Sequence, residues 1–212
     1  MDFHAAAQFL GDTGRFLASQ GWAPATSGNY SARLRDGQVA ITVSGRDKGQ
    51  LGIDDIMVVD SHGQPVPHLA KPGQNASAET LLHTSLYQAY PTVGAVLHTH
   101  SVDAVTLSRW WLKQGQESLV LTGYELFKAF PDITTHAVEI TIPIVANSQD
   151  MVSLGQAALT RLRQTPHPVG YLIAGHGLYA WGPTVPQARM ATEVLEFLVS
   201  CALRERLLES LP

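Results

Sequence analysis

Val93-Gly94-Ala95-Val96-Leu97-His98-Thr99-His100 is an apolar run that ends in two histidines one residue apart. A β-strand turns alternate residues to the same face, so the run reads as a buried strand delivering His98 and His100 together at its end. Two imidazoles presented from a rigid element suit a metal ion, zinc in particular. Nine histidines placed at random in 212 residues would give on the order of 0.4 such pairs, so spacing alone does not make a site. Position adds to it, because strand ends and the loops they feed are where sheets build sites.

Outward from that strand, helical and extended patterns alternate. Phe3, Ala6, Ala7, Leu10, Phe16 and Leu17 predict an opening helix that stops near Gly21. Asn29 to Leu34 and Val39 to Val43 predict two strands joined by an Asp36-Gly37 hairpin turn. Ile56 to Val59 predicts a third strand, and Gly63 to Gly73 a Pro/Gly-rich loop. A helix is expected from Ser77 to Pro91, with Glu79 near its positive end, and another from Val102 to Leu112. Strands are expected at Ser118 to Thr122, Val138 to Val145 and Gly170 to Ala174, and helices at Ser148 to Arg163 and Val185 to Leu208. Such interleaving, with no repeat or flexible linker, predicts one domain over residues 1–212: a mixed central sheet covered by helices on both faces.

Composition narrows the function. Only 15% of residues are charged while 45% are hydrophobic, which points to subunit contacts. Fourteen basic against eighteen acidic side chains, with no basic block, argue against nucleic acid or an anionic membrane as partner. The single Cys201 allows no intrachain disulfide, no secretory start is present, and no apolar stretch reaches ~18 residues. A cytoplasmic enzyme is the expectation.

A catalytic metal needs a third ligand, and His176, between Gly175 and Gly177 after an apolar run, is the candidate. His4, His62, His68, His136 and His167 are expected to be solvated, whereas His83 is open between a helix face and a pocket wall. Two polar turns, Thr26-Ser27-Gly28-Asn29 and Ser44-Gly45-Arg46-Asp47-Lys48, have the glycines, hydroxyls and ammonium of an anion cradle, and Lys128 is a further anion contact. Glu79 and Glu125 are the two carboxylates suited to proton transfer beside a Lewis acid, and spacing does not choose between them. Trp110, Trp111, Tyr124 and Phe127 are candidate apolar walls or core.

Taken together, the Ser-Gly-Asn turn, the Ser-Gly turn, Ser77-Ala78-Glu79, His98-Thr99-His100-Ser101 and the late Gly175-His176-Gly177 resemble the class II aldolase/adducin family over nearly the whole chain. The resemblance implies an α/β fold of three layers (αβα) with a central mixed, largely antiparallel sheet. It implies one Zn2+ per subunit on His98, His100 and His176, and phosphate binding at Ser27, Gly28, Asn29, Ser44 and Gly45. It also implies a homotetramer with sites near subunit boundaries and a small phosphorylated ketose as substrate. Ser44 to Gly49, Ser77 to Thr80 and Gly123 to Lys128 look most like the family's dehydratases of a methylthio-ketopentose 1-phosphate. In these the acid/base glutamate falls on Glu125, whereas the aldolases' glutamate falls on Glu79. A sugar-phosphate aldolase or epimerase is the alternative, followed by a non-catalytic adducin-like module.

Overall fold

The computed structural model describes residues 1–67, 69 and 71–211. Its elements in chain order are α1 (Phe3–Ser19), β1 (Asn29–Arg33), β2 (Val39–Thr42), β3 (Ile56–Val59), α2 (Thr80–Ala89), β4 (Ala95–Thr99) and α3 (Val102–Lys113). They continue with β5 (Ser118–Thr122), a 3-10 turn (Glu125–Ala129), β6 (Glu139–Val145), α4 (Met151–Gln164), β7 (Gly170–Ile173), β8 (Gly177–Gly182) and α5 (Val185–Glu209). Local chemistry marks the helix starts: Asp2, Ser101, Asp150 and Thr184 each accept a backbone N–H from the first turn that follows. His68 lies outside the described residues.

The strands form one sheet in the order β3-β2-β1-β4-β8-β7-β6-β5. Every neighbouring pair is antiparallel except β6 and β7, so the sheet is mixed and largely antiparallel as expected. Alternation along the strands sorts side chains into two cores. Val39, Ile41, Val96, Tyr171 and Tyr179 face α2 and α4, while Ala40, Leu97, Leu172, Leu178 and Ala180 face α1, α3 and α5. Burying each large aliphatic side chain there contributes about 1.5–3 kcal/mol. Helices therefore cover both faces in three layers.

One strand escaped the sequence reading. β8 carries Leu178, Tyr179, Ala180 and Trp181 and sits in the middle of the sheet between β4 and β7. Covered on both faces, it lacks the polar alternation that marks a half-buried strand. The helix expected from Ser77 begins at Thr80, and Glu79 occupies the residue before it.

Candidate metal and anion site

β4 ends and β8 begins at the same end of the sheet, with Thr99 opposite Leu178. The β7–β8 connection therefore drops His176 onto the end of β4. Gly175 has φ +69°, the left-handed conformation this turn needs, and a Cβ on Gly177 would lie 2.0 Å from the Thr99 carbonyl oxygen. The two glycines let the backbones close and bring His176 to the pair on β4. The Nε2 atoms of His98 and His176 are 3.4 Å apart, and ligand atoms of His98, His100 and His176 all fall within 4.8 Å of one another.

These residues fit a metal ion. Zn–N bonds of ~2.0–2.1 Å in a tetrahedron place ligand nitrogens roughly 3.3 Å apart, close to the His98–His176 separation. His98 Nδ1 donates to the Leu178 carbonyl 2.9 Å away, which leaves Nε2 as the free lone pair. Burial holds His98 well below the usual histidine range and, with the neighbouring His176, brings His100 down to about 4, so both rings are neutral as ligands must be.

Glu79 stands against this cluster. Its Oε1 is 3.0 Å from His176 Nε2, and its Oε2 is 3.4 Å from His98 Nε2. Asn29 Nδ2 and the Tyr179 hydroxyl donate to Oε2 over 2.6 and 3.1 Å. Burial alone would raise this carboxyl, but hydrogen bonds from His176 and Asn29 and the closeness of the His98 and His176 rings hold it below the usual range. Glu79 is therefore an ionised carboxylate beside the metal-ligand atoms. Tyr179, stacked on the His98 ring at 4.1 Å, has no signal of its own in the sequence, because its strand was not anticipated.

Beside Glu79 and His100 the two polar turns meet around a cavity of about 140 Å³ lined by Ser27, Gly28, Ser44, Gly45, Lys48 and Ser77. Lys48 is buried, and its ammonium donates to the Thr26 carbonyl on one turn (2.8 Å) and the Arg46 carbonyl on the other (2.7 Å). It braces the turns and keeps one N–H for a ligand. The Ser27 hydroxyl is buried without a partner, an orphan that an anion would satisfy. The Asn29 side chain points instead to Glu79 and His83. A second, more open cavity of about 580 Å³ shares Glu79 and His100 and runs past His176, Val102 and Val105.

Glu125 and Lys128 are not brought to this place. β5 runs opposite to β4's end of the sheet, so Glu125 follows at the far end of the edge strand, four interstrand steps of ~4.8 Å from β4. There both are exposed and pair with each other, and Glu125 also meets His136 Nδ1 at 3.3 Å. His4, His62, His136 and His167 are exposed. His83 is fully buried behind the site. Phe127 belongs to the core under α5, with Trp111 and Tyr124 packed against that core, and Trp110 is exposed.

Known proteins share this architecture. Residues 8–203 match the family model for the Class II Aldolase and Adducin N-terminal domain. The chain is 51% identical over 201 residues to methylthioribulose-1-phosphate dehydratase of Marinobacter nauticus, covering 95% of this chain and 94% of that one. It is 50% identical over 198 residues to the enzyme of the same name from Azotobacter vinelandii, covering 93% of each. Among solved structures, an L-fuculose 1-phosphate aldolase superposes with TM-score 0.77 at 20% identity over 98% of this chain and 91% of that one. The l-fuculose-1-phosphate aldolase of Thermus thermophilus gives 0.73 at 24% identity over 99% and 98%.

Proposed function

The chain belongs to the class II aldolase and adducin N-terminal domain family, and from that premise we propose that it is a methylthioribulose-1-phosphate dehydratase of methionine salvage, a hydro-lyase. The observation that carries the reading is the contact of three functions at one end of the sheet: a three-histidine cluster, an ionised carboxylate and a polar two-turn cavity. Zinc on His98, His100 and His176, one per subunit, would supply a Lewis acid for the substrate's C2 carbonyl. Ser27, Ser44, Gly45 and the remaining Lys48 N–H receive the 1-phosphate. The open cavity with Val102 and Val105 takes the methylthio end.

Dehydration then needs a base at C3 and an acid for the hydroxyl leaving C4. Glu79 takes the C3 proton. The C4 hydroxyl departs as water when it is protonated, and the enol left behind tautomerises to a 2,3-diketone phosphate without breaking a carbon–carbon bond. Glu125 serves as the second carboxyl from a neighbouring subunit of a homotetramer, with Lys128 beside it, because within its own chain it sits at the wrong end of the sheet. The low charge and exposed apolar side chains such as Trp110 and Phe197 support such packing. No helix among the described residues is long and apolar enough to cross a membrane, and a cytoplasmic enzyme is part of the proposal.

An aldolase of the same family is the second reading, and the place of Glu79 favours it, since that is the aldolases' carboxylate. Zinc-loaded protein incubated with methylthioribulose 1-phosphate, and separately with fuculose and ribulose 1-phosphates, decides between them. Diketone phosphate from the first and no triose phosphate from the others is expected. Triose phosphate without diketone assigns an aldolase, and no product from metal-loaded protein revives the interaction module.

A further inference from the structure

Behind Glu79 a strand and a helix interlock in register. Asn29 and Ser31, two apart on β1, face α2, which answers with His83 and Tyr87, four apart on one helical face, in line with Glu79 at the residue before the helix. Asn29 Nδ2 lies 2.6 Å from Glu79 Oε2, Asn29 Oδ1 lies 2.5 Å from His83 Nε2, His83 Nδ1 lies 2.7 Å from Ser31 Oγ, and Ser31 Oγ lies 2.8 Å from the Tyr87 hydroxyl. Glu79 Oε2 accepts from both the Tyr179 hydroxyl and Asn29 Nδ2, so the amide nitrogen faces the carboxylate and the amide oxygen faces His83. His83 Nε2 then carries the proton, and Nδ1 accepts from Ser31, whose oxygen accepts from Tyr87. Each link has one permitted direction.

The structure assigns His83 as a positioning residue that sets the Glu79 carboxylate by holding the Asn29 amide in one orientation, with Ser31 and Tyr87 anchoring the far side of the imidazole. His83, Ser31 and Tyr87 are all buried, where a donor or acceptor left unsatisfied is costly, and this keeps the chain in its single pattern. Burial also pushes the His83 ring down to about 4, in keeping with a neutral imidazole. The chain is a lock and not a proton wire, because an amide oxygen accepts a proton-bearing group without passing a proton on. With Oε2 held by Asn29 and Tyr179, Oε1 is the oxygen left towards His176.

The kinetic part of the test rests on the dehydratase reading; the spectroscopic part does not. In the zinc-loaded protein, His83→Leu is expected to lower kcat about 10–100-fold with KM and metal content unchanged. His83→Gln, which can donate to Asn29 and accept from Ser31, is expected to restore most of kcat. Equal losses in both variants, or a loss confined to KM, would overturn the assignment. Imidazole 15N shifts of the wild-type protein should show His83 as the neutral Nε2–H tautomer from about pH 5.5 to about 8, where an ordinary histidine titrates. An Nδ1–H tautomer or an imidazolium in that range overturns the assignment whatever substrate the enzyme uses and whether or not the variants fold.

Discussion

Glu79 and Glu125 are carboxylates of one chain in opposite settings. Glu79 lies at the end of the central strands where β4 and β8 meet, receives Asn29 and Tyr179, and faces the nitrogens of His98 and His176. Glu125 lies beyond the far end of the edge strand, exposed, with Lys128 and His136 for company. The difference teaches that a carboxylate's role is set by what the topology packs around it. Four groups hold Glu79 in place, whereas Glu125 keeps the freedom and exposure to meet a second molecule of the same chain.

The comparison can be broken at several points. The largest effect is expected from His98→Ala, which removes the imidazole that β4 presents and β8 orients. Metal measured in the purified variant should fall to background and activity with it, and stoichiometric metal would refute the ligand set. Glu79→Gln should retain the metal and lose about 10²–10⁴-fold in kcat, measured as diketone formation, because it removes the proton acceptor without removing the ligands.

Lys48→Met should act next. It deletes the brace between the two turns and leaves the Thr26 and Arg46 carbonyls without their donor, which costs about 1–3 kcal/mol and appears as a lower Tm, accompanied by a raised KM. An unchanged KM would rule out a contact between Lys48 and the substrate phosphate. The smallest effect is assigned to the other carboxylate's neighbourhood. Lys128→Ala should leave Tm unchanged, since an exposed ion pair contributes little to stability. A clear fall in Tm would show that this surface is structurally engaged.

Much of this was legible in the residues before any coordinates. The His98-Thr99-His100 run encodes both a strand and a pair of neighbouring imidazoles, and the glycines around His176 encode the turn that brings the third ring in. What stayed hidden depended on contacts distant in sequence. β8 is buried on both faces and so shows no alternation, and Tyr179 was hidden with it. His83 stays open between a helix face and a pocket wall until β1 is laid against α2, because the reason for a buried imidazole is Asn29 and Ser31, more than fifty residues earlier. Asn29 has the composition of an anion turn, yet its amide is used by Glu79 and His83. The distance between Glu125 and the histidines follows only from strand order.

The central claim, that Glu79 works on its own chain's site while Glu125 reaches a neighbour's, is tested most directly by mixing Glu79→Gln and Glu125→Gln proteins, each inactive alone, unfolding them together and refolding them. Random assembly places an intact Glu79 and an intact Glu125 at about a quarter of the shared sites, so about a quarter of wild-type activity should return. Full activity of Glu79→Gln by itself, or no recovery in the mixture, would contradict the account.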